Sequence, residues 1–113
     1  MKIEFMFKDE VMSVINVDDK THEVTCKDFT DKPGFTAFGK CKPSMDVLYK
    51  LFRWRMPEEG RPDIKELLAY HGLQQYDPLE WCKKTHGILG CDFFWLRFDD
   101  EKCTYEEAYN KES

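Results

Sequence analysis

The stretch DPLEWCKKTHGILGCDFFWLRF, residues 77–98, holds a helix start, a helix stop and the densest aromatic run in the chain. Asp77 is a good N-cap, because its carboxylate accepts from the free amides of a first turn. Pro78 suits the first helical position, where no amide hydrogen is needed. Glu80, three residues on, completes a capping-box pattern. At about 100° per residue, Leu79, Trp81, Cys82 and Thr85 fall on one broad face and Glu80, Lys83 and Lys84 on the other. His86-Gly87-Ile88 reads as a stop, with Gly87 in the left-handed position and an apolar residue folding back. After a turn at Gly90, residues 93–98 read as an extended aromatic strand. Phe94, Leu96 and Phe98 share one of its faces, and Phe93, Trp95 and Arg97 the other.

Working toward the N-terminus, two more helices precede this unit. Ser44 caps one that runs to about Met56, where Pro57 stops it. Met45, Val47, Leu48, Leu51, Phe52 and Trp54 form its apolar arc, and Arg55 projects into the middle of that arc. Asp63 caps the next, with Glu66 as its capping-box partner. Ile64, Leu67, Leu68 and His71 share its inner face. Gly72-Leu73 ends it as Gly87-Ile88 ends the third, by the same stop chemistry. Residues 31–42 read as a loop pinned to the core by Phe35 and Phe38.

The first 26 residues hold three strand-like runs, 3–7 and 22–26 alternating and 11–17 β-branched and apolar, separated by the polar turns Lys8-Asp9-Glu10 and Asp18-Asp19-Lys20-Thr21. This is the pattern of a three-stranded antiparallel meander. Toward the other end, an acidic tail occupies about 104–113. Thr104 caps a last short turn with Glu107 as its box, and residues from Asn110 to Ser113 are expected to fray. The whole, 1–113, reads as a single α+β domain: an N-terminal three-stranded antiparallel meander, then three short helices and a C-terminal aromatic strand. The expected core is Phe5, Phe7, Val14, Leu48, Leu51, Phe52, Leu67, Leu68, Trp81, Phe94 and Leu96.

Composition narrows the function classes. A 42% hydrophobic and 15% aromatic chain of 113 residues can bury a core without metal or disulfide staples. Its formal charge of −5 opposes binding a polyanion and suits a partner with a basic surface. No run approaches about 18 apolar residues, so no membrane span is expected. The start, MKIEFMFKDE, does not resemble a secretory leader. Five cysteines (26, 41, 82, 91 and 103), an odd number with no CxxC pair, then point to reduced thiols in the cytoplasm.

Several constellations were weighed. Cys82 and His86, four apart on a helix, with Cys91 shortly after, offer two or three zinc ligands, with Cys26, Cys41 or Cys103 as a fourth. Their spacing is looser than that of structural zinc sites, so a buried thiol and a helix-end histidine are preferred, and no metal or cofactor is expected. Cys82–His86 is also the one local nucleophile–base pair, and the helix would bury both. The chain carries no GxSxG, HExxH, Walker or GxGxxG pattern, so no enzyme activity and no small-molecule substrate are expected. Arg53, Trp54, Arg55 and Arg61 form a basic–aromatic cluster that could clamp a phosphate or carboxylate. Against this stands a plainer reading: cations at a helix C-terminus, with Arg55 paired to an acid inside the fold. Asp99, Asp100 and Glu101, with the other acidic turns, could imitate phosphates toward a basic groove. The binding surface expected from sequence is therefore Arg53, Trp54, Arg55 and Arg61 together with Asp99, Asp100 and Glu101.

The pattern RxRMPxxxRPDIKELLxxxGLxxYDPLEWxKKTHGxxxxDxFWLRF, from Arg53 to Phe98, resembles a group of small uncharacterised proteins of Firmicutes and their mobile elements. That resemblance implies a context in which small acidic proteins bind and control host or phage machinery. An inhibitor of a nuclease defence system, similar to an anti-CRISPR protein, fits it. The functional expectation is a small acidic cytoplasmic protein that regulates or inhibits a macromolecular protein partner, which can be a nucleoprotein. The alternatives are a nucleic-acid-binding module using an Arg/Trp/Lys face that adds Lys83 and Lys84, and a small structural zinc-binding domain.

Overall fold

In the computed structural model, residues 1–112 are described, with side chains through Asn110. Four strands, β1 (Lys2–Phe7), β2 (Glu10–Val17), β3 (Val24–Asp28) and β4 (Phe94–Phe98), form one antiparallel sheet in the order β3-β2-β1-β4. The expected meander is its first three strands, and the aromatic strand joins it beside β1, so the α+β reading holds. Helices α1 (Met45–Trp54), α2 (Ile64–Tyr70) and α3 (Pro78–Thr85) lie between β3 and β4 in the chain, and α4 (Tyr105–Glu112) follows β4.

Strand alternation divides the apolar side chains between two layers. Ile3, Phe5, Ile15, Val17, Leu96 and Phe98 meet Leu48, Leu51, Phe52, Leu68, Trp81 and Cys82 in the main core, with Phe7, Leu67 and Phe94 partly buried against it. On the other face Met6, Trp95 and Ala108 form a smaller cluster with Tyr105 and Ile88, which α4 covers. No helix among the described residues is long and apolar enough to cross a membrane.

Val14 is the exception to the expected core. Phe5 pairs with Ser13 but Met6 with Val11, so a bulge at Met12 shifts the register. Ser13, Ile15 and Val17 then face inward, while Val14 is only partly buried. Polar Ser13 and Asn16 fall on opposite phases of β2, so its alternation is ambiguous, and the bulge decides it. Ser13 is tolerated in the core because its hydroxyl donates to Asp28 Oδ1 (2.7 Å) and accepts from Ala37 N (3.0 Å).

Other differences are local. Asp18 Oδ1 accepts from the amides of Lys20 (2.8 Å) and Thr21 (3.0 Å), and these bonds lower its pKa. The tightened turn takes in His22 at φ 59°, so β3 begins at Val24 rather than His22. The loop over 31–42 contains one 3-10 turn, Pro33–Phe35. Phe38 is buried, and Phe35 sits edge-on to Phe7 at 5.1 Å, which pins the loop as expected.

The helix caps hold at three of four sites. Ser44 accepts from Val47 N and Asp77 from Glu80 N. Thr104 and Glu107 bond each other reciprocally, Thr104 Oγ1 from Glu107 N at 3.2 Å and Glu107 Oε1 from Thr104 N at 3.3 Å. This box supports a helix running to Glu112, so the expected fraying from Asn110 is replaced by helix, and Ser113 lies outside the described residues. Asp63 occupies its N-cap position without capping, because its carboxylate is taken by Arg61 Nε at 2.6 Å.

The two helix stops are not alike. At α2, Leu73 N bonds Leu68 O (2.8 Å) and Gly72 N bonds Ala69 O (3.0 Å), with Gly72 at φ 76°, the Schellman arrangement. At α3 the chain turns left-handed one residue earlier, at His86 (φ 58°), and again at Gly87 (φ 61°). A Cβ on Gly87 would lie 3.1 Å from Arg55 Cβ and 3.2 Å from Leu96 Cδ1. Glycine is therefore required for close approach as well as for its backbone angle. This second stop aims His86 at β4.

Candidate binding surface

Arg55 follows the last turn of α1 and sits at the centre of its apolar arc, so the helix drives it inward. It is fully buried. Its Nε donates to Gly87 O (2.8 Å), Nη1 and Nη2 donate to the two Asp92 carboxylate oxygens (2.9 and 2.8 Å), and Nη2 also reaches Phe94 O (2.6 Å). A bidentate fork of this kind is the strongest pairing a guanidinium makes. Burial raises the pKa of Asp92, but Arg55's hydrogen bonds and charge and the Phe94 amide outweigh it, and the net shift is downward. Arg55 is thus removed from the expected contact surface: it is the internal clamp that the plainer reading described.

Clamping Arg55 fixes its neighbour. The guanidinium carbon lies 4.5 Å from the Trp54 ring centroid, and that ring also meets Phe94 at 6.0 Å and Phe5 at 6.3 Å. Trp54 is nevertheless 50% exposed. Arg53 beside it is exposed, and exposed Arg61 shares its charge with Asp63.

The acidic half of the expected surface lies elsewhere. Trp54 rests over Phe94, at the start of β4, whereas Asp99, Asp100 and Glu101 follow its end. A five-residue strand separates them, roughly 15 Å at about 3.3 Å per residue. Asp99, at φ 54°, donates its amide to Lys2 O (2.6 Å) and accepts from Lys2 N (3.2 Å). Glu101 Oε1 accepts from Phe98 N (2.8 Å), and Oε2 lies 3.1 Å from His86 Nε2. Two of the three acids therefore bond within the turn, and all three are exposed.

The thiol–histidine set weighed from sequence is not assembled. Cys82 Sγ contacts Phe52 O at 3.5 Å in the core, and burial pushes its pKa up to about 12. Cys91 is exposed on the turn before β4. His86 instead meets Glu101 and Cys103, whose Sγ is 4.0 Å from His86 Nε2. This is the one group of three metal-capable side chains among the described residues, with donor atoms within 4.8 Å of one another. His86 and Cys103 were both in the sequence-derived set of possible ligands, but Glu101 joins them only because residues 87–93 carry the chain away from His86 and β4 brings it back.

A second surface went unnoticed in the sequence. Phe93 and Tyr109, each nearly half exposed, flank Tyr105 at ring separations of 6.2 and 5.8 Å. With Gly90, Cys91 and Asp92 they line a concavity of about 310 Å³. The i, i+4 spacing of Tyr105 and Tyr109 was its legible signal.

Comparison with protein-family models, with curated proteins and with solved structures finds no match to this chain.

Proposed function

We propose that this chain is a small acidic binding protein that regulates or inhibits a macromolecular protein partner in the cytoplasm, through a surface that includes exposed Trp54, Arg53 and Arg61. The observation that carries this reading is the state of Trp54, half exposed yet locked between Phe94, Phe5 and the buried Arg55 guanidinium. An aromatic side chain held rigid before binding loses little entropy on association. Trp and Arg are also the residues most enriched among those that dominate interface energetics. The negative formal charge of the chain supports a protein or nucleoprotein partner over a free polyanion. Inhibition of a nuclease defence system by a mobile-element protein is the finer form of this reading, and it rests on the sequence resemblance.

The test is affinity capture from the native cell, with and without nuclease treatment, using the wild-type chain, Trp54→Ala and the double variant Arg53→Glu, Arg61→Glu. One specific protein recovered in both wild-type samples and lost in both variants, with their melting temperatures retained, is the expected result. Recovery only of nuclease-sensitive material would overturn the reading in favour of a nucleic-acid module. Capture that survives both variants but is lost on charge reversal of Asp100 would move the contact to the acidic end of β4.

A further inference from the structure

His86, Glu101 and Cys103 come from three places: the left-handed stop of α3, the turn after β4, and the approach to α4. Cys–His–carboxylate trios have two chemical uses, and the geometry separates them. In a nucleophilic relay the thiol addresses one ring nitrogen and the carboxylate orients the other. Here both address the same nitrogen: Nε2 lies 3.1 Å from Glu101 Oε2 and 4.0 Å from Cys103 Sγ. Buried Nδ1 has no hydrogen-bond partner, so the carboxylate does not stand where a relay needs it. Three donor atoms of different type converging on one point form a chelate.

We propose that His86 Nε2, Glu101 Oε2 and Cys103 Sγ bind one zinc-class divalent cation. Bonds of about 2.0–2.3 Å in tetrahedral geometry place donor atoms roughly 3.3–3.7 Å apart. The Nε2–Oε2 pair is already slightly inside that spacing, Sγ has to move by about half an ångström toward Nε2, and the thiol and carboxylate, within 4.8 Å of each other, have to close by up to about 1.3 Å, which a side-chain rotation of Cys103 and Glu101 supplies. Nitrogen, oxygen and sulfur donors together suit zinc better than calcium or magnesium, which take oxygen. His86 has a side chain only 7% exposed, so the site is walled on that side, while Glu101 at 39% gives an entry path. On binding, Cys103 releases its thiol proton to solvent, and coordination through His86 Nε2 leaves the ring proton on Nδ1. The fourth position is left to water or to a group from outside the chain. Lacking a protein acceptor on Nδ1, the site binds about 10- to 100-fold more weakly than one with that support. Bound metal would tie the α3 stop to the β4–α4 connection across the edge of the sheet.

The experiment titrates Co(II) into the reduced full-length chain without oxygen, then competes it with zinc. The expected result is a thiolate-to-cobalt charge-transfer band that saturates at one ion per chain, is displaced by zinc, and accompanies a raised melting temperature. Cys103→Ser should abolish the band, and His86→Asn, which tolerates the left-handed backbone, should weaken binding more than about tenfold. Cys41→Ser and Cys91→Ser, at exposed thiols, should leave the band intact. Circular dichroism of each metal-free variant checks its fold, and Glu101→Gln replaces Cys103→Ser if the latter does not fold. A wild-type chain with no band, or a band that survives both Cys103→Ser and Glu101→Gln, overturns the proposal.

Discussion

Strands β4 and β3 lie at opposite edges of the same sheet, and their outward backbone groups meet different surroundings. Lys8 N bonds Phe93 O and Asp99 N bonds Lys2 O, so odd-numbered residues of this segment face β1 and the even-numbered ones point outward. Most of those outward groups have a partner. Phe94 O takes Arg55, Phe94 N takes Asp92, Leu96 N takes His86 O, and Phe98 N takes Glu101. At the far edge Phe29 N bonds Met12 O, so Val24, Cys26 and Asp28 turn their amides away from β2. That edge, as short as β4, is guarded differently: it exposes Thr25 and the charged Lys27 and Asp28. Unpaired edges invite another chain, and both shortness with charge and direct covering prevent that. The lesson is that a strand edge can be covered in large part by side chains and a helix stop, with a buried cation holding one end of that cover in place.

The strongest way to break this contrast is Asp92→Ala, which leaves Arg55 buried and unpaired. Removing one partner of a buried ion pair costs roughly 3–5 kcal/mol, so chemical denaturation should show a fall of that order. Adding Arg55→Met should recover part of it, because the stranded charge is gone, and a double-mutant cycle should report that coupling.

Acid should loosen the same edge. The folded pKa of Asp92 is depressed, so its contribution is fully present above the unfolded carboxylate value of about 3.9 and is lost as pH falls through the folded value. Melting temperature followed from pH 7 downward should therefore drop below about pH 4, and Asp92→Asn should flatten that limb. An unchanged profile in the variant would deny Arg55–Asp92 its role.

Gly87→Ala strikes the close approach between clamp and strand. The left-handed backbone alone costs an alanine about 1–2 kcal/mol, and crowding against Arg55 and Leu96 adds to it. A loss above that range in a urea melt would show that neither neighbour yields.

The mildest test reads the edges without perturbing them. In hydrogen exchange, the Leu96 and Phe98 amides should be protected to the level of the sheet, while those of Val24 and Cys26 exchange early. Equal protection at both edges would erase the contrast.

Much of this was legible in residue order. Capping residues, glycine stops and alternation act over a few positions, so Asp77-Pro78, Ser44, Thr104…Glu107 and the 94/96/98 face could be read directly. Arg55 was legible as an anomaly, a cation in an apolar arc, and its need for an acid inside the fold followed from the cost of an unpaired buried charge. What residue order left open depends on contacts between distant segments. It could not choose between the two phases of β2, where a bulge and the bonds to Asp28 and Ala37 make Ser13 a core residue. It gave α2 and α3 the same stop, although packing against Arg55 and Leu96 turns the second one a residue early. It did not show that Asp99 and Glu101, expected on a contact surface, also bond Lys2 and Phe98 to close the sheet. The meeting of His86, Glu101 and Cys103 was likewise decided by tertiary structure, because residues 87–93 must carry the chain away and β4 bring it back before their donor atoms lie within 4.8 Å of one another.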